Sequence, residues 1–214
     1  KTAVNHPLGK NMIGAFHQPA KVLTDTQLLT SLDQSHLREG MAEIIKHSLI
    51  KDEGFFNWLE ENIEDLLAGE DTKLLDAIAK SIEIKAEVVA KDETEQGVRK
   101  WLNMGHTFGH AIEVYGKFQE FTHGEAVALG IIMAANLSQS VLHLDEEESE
   151  RIKSLMSSIL TDSLLQNKCE AIALLKLMSA DKKKKGDKLN FILLDAIGST
   201  KIVSDIKESD ILQS

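Results

Sequence analysis

Hydrophobic residues recur at helical spacing along most of the chain, starting near Leu28. Extended structure is expected near the C-terminus, where the apolar runs Asn190–Leu194 and Thr200–Val203 flank four turn residues and predict a β-hairpin. A last short helix is expected after Ser204. The longer helices are predicted at about 36–51, 53–67, 72–91, 103–117, 123–142, 145–158 and 168–182.

The first 35 residues have a different pattern. Both prolines, Pro7 and Pro19, lie here, so a loop is predicted, with a short strand at 21–24. We therefore expect residues 1–35 to be the tail of another unit and residues 36–214 to form a mainly α-helical domain. Because the chain opens on Lys1 without Met, it is expected to be a piece of a longer protein or to have been processed.

Composition narrows the class of function. The chain has 214 residues, with 43% hydrophobic and 27% charged, as in a soluble globular protein. A net charge of −10 argues against a nucleic-acid binder, although a locally basic pocket for a small anion is compatible with it. The single cysteine, Cys169, excludes an intrachain disulfide and indicates a reducing, cytoplasmic setting. The apolar run Ala126–Leu137 is shorter than the ~20 residues that span a bilayer, so a buried helix and no membrane partner are expected.

Two histidines lie four residues apart in one predicted helix. His106 and His110 share a face, as in helical zinc sites, and each follows a glycine. A glycine inside a helix costs about 0.8–1.0 kcal/mol relative to alanine, so something is expected to approach this backbone closely. Thr107 stands where a metalloprotease would need its glutamate, which excludes that chemistry.

Further candidate ligands are His123, at the start of the buried helix, and Glu43. Three of the four candidates Glu43, His106, His110 and His123 would make a catalytic zinc site if the ion kept one coordination position open. Spacing alone favours a set that includes His110. Taken alone, the three-residue spacing of Glu43 and Lys46 predicts an exposed ion pair. Lys85 falls on a stripe in which a lysine either extends to solvent or meets an anion, and the pattern alone favours the first. The other members of that stripe are Leu75, Ile78, Ile82 and Val89.

Several motifs occur in order along the chain: REGMAEIIKH at 38–47, IKAEVVAKDETEQGVRKWLNMGHTFGHAIE at 84–113 and THGEAVALGI at 122–131. Together with KTAVNHPLGKNMIGAFHQP at 1–19, they closely resemble the 3-dehydroquinate synthase family. The resemblance implies the C-terminal, metal-binding part of such an enzyme, preceded by an extended segment left from an α/β nucleotide-binding domain. No glycine-rich phosphate loop occurs in residues 1–214, so these residues alone are expected to be inactive.

The resemblance also implies a reaction. The family are lyases of the shikimate pathway of aromatic amino acid biosynthesis. They convert 3-deoxy-D-arabino-heptulosonate 7-phosphate to 3-dehydroquinate and phosphate by transient NAD-dependent oxidation, phosphate elimination, re-reduction and aldol closure. The expected cofactors are NAD and either zinc or cobalt. The enzyme is expected to be a homodimer in the cytoplasm.

Roles for individual residues follow from the same resemblance. The metal ligands would be Glu43, His106 and His123, while His110 would contact substrate and move protons. This replaces the spacing-based assignment of His110. Substrate contacts would be Lys46, Lys85, Arg99, Asn103 and Lys182, and cofactor contacts would be Lys1, Lys10, Asn11, Leu28, Leu29, Thr30 and Ser31.

Three alternatives remain: an inosose-synthase type of sugar-phosphate cyclase, a polyol dehydrogenase of the wider superfamily, and a non-catalytic helical domain. The set of lysines together with Arg99 favours a substrate that bears a carboxylate. An assay with and without the missing domain would discriminate among these alternatives.

Overall fold

The computed structural model describes residues 2–6, 9–165, 169–185 and 189–214, with the backbone alone described at 2, 5, 9–11 and 180–185. It is mostly helical with a small C-terminal hairpin, which confirms the predicted fold class. Two 3₁₀-helices span Thr26–Ser31 and Val98–Asn103. The strands are β1 (Thr2–His6), β2 (Gly9–Ala15), β3 (Asn190–Ala196) and β4 (Ser199–Ser204). The α-helices are α1 (Gln34–Lys51), α2 (Glu53–Ala68), α3 (Asp71–Lys91), α4 (His106–Tyr115), α5 (His123–Leu142), α6 (Glu146–Ser158), α7 (Asp162–Leu165), α8 (Ala171–Lys185) and α9 (Glu208–Gln213).

Helix α5 is the centre of the fold. It contacts α1, α4, α6 and β3, and its buried residues include Val127, Ile131 and Leu137. Within the described residues it is the one helix long and apolar enough to cross a membrane, judged by length and composition alone. Half of that stretch is buried inside the fold, and core helices of soluble proteins meet the same criterion.

Helices α4 and α5 pack with their backbones almost touching. A Cβ at Gly130 of α5 would lie 2.2 Å from the carbonyl oxygen of Gly105 and 2.9 Å from the amide nitrogen of Gly109. Gly105 itself has φ 76°, a left-handed conformation that suits glycine, and it caps the N-terminus of α4. Helix α5 is therefore the element that closely approaches the backbone of α4, as the two glycines predicted.

The N-terminal segment differs from its prediction. Residues expected to form a loop instead pair as an antiparallel hairpin, with Thr2 opposite Ala15 and Val4 opposite Ile13. Pro7, which stands between the two strands in the sequence, lies outside the described residues. The strand predicted at 21–24 is wrong: these four residues, all within the described part, form no strand and have no pairing partner.

The predicted C-terminal hairpin is present and longer than expected, with Leu194 opposite Thr200 and Ile192 opposite Ile202. Strand β3 is buried against α5, where the backbone N–H of Leu194 donates to Ser138 Oγ over 2.9 Å. The amide of Gly198 donates to the carbonyl of Leu49 over 2.8 Å. The hairpin thereby fixes the C-terminal end of α1 next to α5.

Helix α3 buries a different face from the predicted one. Its buried residues are Leu74, Ala77, Ser81, Ile84 and Val88, whereas Leu75 is 51% exposed and Ile82 is 43% exposed. Apolar residues occupy two adjacent faces of this helix, and the face that carries the small Ala77 and Ser81 packs on α1. Ser81 Oγ lies 2.7 Å from His47 Nδ1 of α1, which joins the two helices. Lys85 is exposed, beside that buried face.

Candidate metal centre

Three helices bring one carboxylate and two imidazoles together. Glu43 lies in the middle of α1, His106 is the first residue of α4, and His123 is the first residue of α5. One donor atom from each lies within 4.8 Å of the other two. The local sequence explains both helix starts: Gly105 turns the chain into α4, and Thr122 with Glu125 forms a capping box at α5.

Each of these histidines has its Nδ1 directed at an oxygen that only accepts. His106 Nδ1 lies 3.1 Å from the carbonyl oxygen of Met104, and His123 Nδ1 lies 3.2 Å from Glu113 Oε1. Both Nδ1 atoms therefore carry a hydrogen, so Nε2 is the nitrogen that each ring can offer to a metal ion. His106 Nε2 is 3.8 Å from Glu43 Oε1, as required of two ligands that share one ion.

Burial keeps His106 neutral. Loss of solvent, followed by the positive charge of Lys46, lowers the pKa of His106 from 6.5 to about 3. A neutral imidazole is the form that binds a metal ion. A donor set of one carboxylate and two imidazoles suits zinc or cobalt.

Lys46 is buried beside the trio, not exposed as its spacing suggested. It is 2% exposed, and its Nζ donates to Glu43 Oε2 over 2.5 Å. Burial lowers the pKa of Lys46, against the opposing effect of the Glu43 carboxylate. Burial raises the pKa of Glu43, but the ammonium of Lys46 outweighs this and holds that pKa below its ordinary value.

The other expected substrate contacts whose side chains are described lie on two elements, α3 and the second 3₁₀-helix. The positive charge of Lys85 helps to lower the pKa of Lys46, so it acts on the same region from α3. Arg99 is buried on the second 3₁₀-helix, where it donates to the carbonyl of Glu93 and stacks over the Phe16 ring at 5.8 Å. Asn103 Nδ2 donates to Glu95 Oε1 over 2.7 Å.

The loop before Arg99 is organised by one carboxylate. Asp92 caps α3 and accepts from the backbone N–H groups of Gln96, Gly97 and Arg99 at 3.1, 2.7 and 3.0 Å. Burial raises the pKa of Asp92, but these hydrogen bonds together outweigh it and hold that pKa below its ordinary value. Asp92 therefore fixes the loop that leads into the 3₁₀-helix on which Arg99 and Asn103 lie.

His110 lies beside the trio but is not part of it. Its ring centroid is 5.5 Å from that of His106 and 6.5 Å from that of His123, and the side chain is exposed. One helical turn separates it from His106, so the shared face inferred from spacing is real. The residue whose donor atom lies close to those of both His106 and His123 is instead Glu43, on α1.

The remaining expected contacts are less informative. Lys1 lies outside the described residues, as do the side chains of Lys10, Asn11 and Lys182, whose backbones belong to β2 and α8. Residues 28–31 form most of the first 3₁₀-helix, which contacts α3. There Thr30 Oγ1 donates to the Gln27 carbonyl and Ser31 Oγ to the Leu28 carbonyl, both over 2.8 Å, so the hydroxyl groups are used locally.

Sequence reasoning missed two buried polar residues of the centre. Glu113 holds His123 from α4, and His47 joins α1 to α3 next to Lys46. A signal for Glu113 was present, because it lies seven residues after His106 and hence on the same helical face. No spacing links His47 to Ser81, which is 34 residues away.

The fold and this centre define a mostly helical protein in which three helices bring together residues that could hold a metal ion. A family model described as "3-dehydroquinate synthase C-terminal" matches residues 40–184, and one described as "3-dehydroquinate synthase N-terminal" matches residues 1–39. The chain belongs to the 3-dehydroquinate synthase family, which confirms the resemblance.

Curated relatives with that name cover the whole chain. The protein of Acidithiobacillus ferrooxidans is 46% identical over 214 residues, and that of Nitrosococcus oceani is 49% identical over 217 residues. Each match spans 100% of this chain but only 58% and 59% of the relative. The chain thus accounts for little more than half the length of the relatives it matches.

Solved structures of related cyclases have the same fold. A 2-epi-5-epi-valiolone synthase from Streptomyces hygroscopicus subsp. jinggangensis 5008, with NAD⁺ and Zn²⁺ bound, superposes with a TM-score of 0.84 at 26% identity, over 98% of this chain and 58% of that one. A 2-deoxy-scyllo-inosose synthase complexed with carbaglucose-6-phosphate, NAD⁺ and Co²⁺ gives 0.83 at 26% identity, over 98% and 60%.

Proposed function

We propose that this chain is the metal- and substrate-binding part of a 3-dehydroquinate synthase. The reaction would convert 3-deoxy-D-arabino-heptulosonate 7-phosphate to 3-dehydroquinate and phosphate, by transient NAD-dependent oxidation, phosphate elimination, re-reduction and aldol closure. The observation that carries the proposal is the convergence of Glu43, His106 and His123, beside a buried lysine, in a member of this family. Residues 1–35 would be the end of the nucleotide-binding domain and residues 36–214 the metal-binding domain.

The trio would hold zinc or cobalt, the ions named in the two related structures. When bound, such an ion supplies a Lewis acid that acidifies a substrate hydroxyl during its oxidation. The chain's own part would be to place a hydrogen on Nδ1 of both imidazoles, to keep His106 neutral by burial and to hold Glu43 ionised through Lys46. NAD⁺ would be contacted by Lys1, Lys10, Asn11 and residues 28–31.

The substrate would be bound by the cations around the trio. Its carboxylate and phosphate require several fixed positive charges, which Lys46, Lys85 and Arg99 would supply, together with Lys182. Asn103 would add a neutral hydrogen-bond donor. His110, exposed beside the ligands, would be the group that takes up and returns protons.

These 214 residues alone would bind metal without completing turnover, because they contain no glycine-rich nucleotide loop. The complete enzyme would be a cytoplasmic homodimer. An inosose-synthase type of activity remains as the competing assignment, since the related solved structures include such an enzyme. The chain is 46% and 49% identical to the two curated 3-dehydroquinate synthases but 26% identical to the inosose synthase, which favours the 3-dehydroquinate synthase assignment.

The test is phosphate release by a protein that joins this chain to a nucleotide-binding domain of a curated relative. The heptulosonate phosphate and a hexose 6-phosphate would be compared with NAD⁺ and Zn²⁺ present. We expect the joined protein to release phosphate from the heptulosonate phosphate and not from the hexose 6-phosphate. The 214-residue chain by itself should release none from either. Release from the hexose phosphate only would overturn the proposal in favour of the competing assignment.

A further inference from the structure

Glu113 is a buried carboxylate that contacts a proposed metal ligand. It lies on α4 and is 5% exposed, and its Oε1 is 3.2 Å from His123 Nδ1. Burying a carboxylate is costly unless it is hydrogen-bonded, so its place in the core requires a polar contact of this kind. The imidazole is one such contact.

The two histidines are held in different ways. His106 donates to the main-chain carbonyl of Met104, an acceptor that any residue at 104 would provide. His123 donates to a side chain that a single substitution can remove. Its own side chain is 41% exposed at the first residue of α5, so packing restricts the ring less than that of His106, which is 15% exposed. The orientation of His123 therefore depends more strongly on its hydrogen bond.

We propose that Glu113 is a positioning residue for the metal centre. By accepting the Nδ1 hydrogen of His123, it fixes the tautomer in which Nε2 bears the lone pair and turns that nitrogen towards Glu43 and His106. This inference rests on the proposed metal site. A carboxylate in this position also raises the basicity of the imidazole, and removing such a partner typically weakens metal binding about 10–100-fold.

A purely structural role for Glu113 makes a different prediction. The backbone carbonyl of Glu113 accepts from the N–H of Phe118 over 2.7 Å and so helps to close the end of α4. Substitution of the side chain leaves this bond in place. If the carboxylate only filled space, its loss would lower stability without changing the affinity of the folded chain for metal.

Metal affinity separates these roles. We would titrate Co²⁺ into the 214-residue chain, its Glu113→Ala and Glu113→Gln variants, and a control, Glu148→Ala. Glu148 on α6 accepts from the Ile197 N–H over 3.0 Å, so the control removes a comparable half-buried hydrogen bond. We expect Glu113→Ala to bind about 10–100-fold more weakly, Glu113→Gln to recover most of this because its amide oxygen still accepts, and the control to match the original chain. Equal affinities for Glu113→Ala and the original chain would overturn the proposal.

A second measurement needs neither a variant nor metal. Histidine ¹⁵N shifts of the metal-free chain report which ring nitrogen of His123 carries the hydrogen. We expect Nδ1–H, and observation of the Nε2–H tautomer would refute the role of Glu113 even if Glu113→Ala did not fold. If the original chain binds no Co²⁺, the proposed metal site fails, while the tautomer still decides this inference separately.

Discussion

The ammonium of Lys46 lies 2.5 Å from the carboxylate of Glu43, one helical turn earlier on α1, and the lysine side chain is almost completely buried. The same carboxylate belongs to the proposed metal trio. Its negative charge thus faces a lysine on one side and the ligand histidines on the other. The two members of the pair differ in exposure, at 3% for the lysine side chain and 36% for the glutamate.

This asymmetry gives a prediction for metal-free stability. Glu43→Ala leaves a buried ammonium without its partner, so we expect a loss of about 3 kcal/mol in the free energy of unfolding, at the low end of the range because Glu43 is partly exposed. Lys46→Met leaves a carboxylate that water can still reach, and we expect a change of about 1 kcal/mol or less. Urea unfolding with a chelator present compares the two, and equal losses would contradict the argument.

The histidines should differ in metal retention. Losing one of three protein ligands costs much more affinity than losing a neighbouring residue, so we expect His106→Ala and His123→Ala to come out of dialysis against a weak chelator without metal. His110→Ala should keep its metal and, in the complete enzyme, lose about 10²–10⁴-fold in rate. Metal per chain after identical dialysis is the measurement. An empty His110→Ala beside a loaded His123→Ala would show that the ligands are wrongly assigned.

Lys85 is expected to matter for catalysis and little for stability. It is exposed on α3, so Lys85→Ala should change the free energy of unfolding by about 1 kcal/mol or less. In the complete enzyme it should lower kcat/KM by orders of magnitude, because an anion of the substrate loses its partner. Lys80→Ala is the matched control on the same helix, since Lys80 pairs with Asp52 and Glu83. Similar kinetics for the two variants would remove Lys85 from the site.

His47 gives the chain a defined acid sensitivity. Burial, followed by the charge of Lys46, lowers the pKa of His47 from 6.5 to about 3. The unfolded chain therefore takes up a proton near pH 6.5 that the folded chain refuses until about pH 3, so stability falls as the pH drops through this window. Each such histidine contributes at most about 1.4 kcal/mol per pH unit. We expect His47→Asn to have a shallower fall between pH 7 and pH 5 in urea unfolding without metal. A slope equal to that of the original chain would contradict the assignment.

Two helical glycines, Gly130 at the contact between α4 and α5 and Gly40 on α1, should respond to alanine in opposite ways. Gly130→Ala would place a methyl group 2.2 Å from the Gly105 carbonyl, so we expect a loss of about 3 kcal/mol or more and a displaced His106. At Gly40, within α1, a Cβ would meet nothing within 4 Å, and we expect Gly40→Ala to gain up to about 1 kcal/mol. Thermal and urea unfolding of both variants test this. A Gly130→Ala variant as stable as the original would contradict the close packing.

Helix positions were largely predictable because the apolar period is strong and prolines are absent after Pro19. Which face is buried was not predictable for α3, since Leu74 and Leu75 offer two adjacent stripes and the choice depends on the fit of Ser81 against His47. The N-terminal hairpin was missed because strand pairing is a non-local property. The local sequence pattern around the two prolines is equally compatible with a loop and with paired strands.

The centre shows the same division between local and long-range information. Spacing correctly placed His106 and His110 on one face, and Glu43 and His123 were further candidates, but spacing could not decide which three come together because these two lie on other helices. The family resemblance supplied that set. It did not supply the burial of Lys46, which depends on how α1 packs in the complete fold.

The glycine contact between α4 and α5 also bears on how metal enters and leaves. His106 and His123 begin helices whose spacing is fixed by Gly105, Gly109 and Gly130, so the packing of the core, and not an ion, sets the positions of both proposed ligands. In small zinc-folded domains, by contrast, removing the ion unfolds the chain. Here the ion would be an exchangeable component of a preformed site. Zinc and cobalt could replace one another in the folded protein, and activity lost to a chelator could return without refolding.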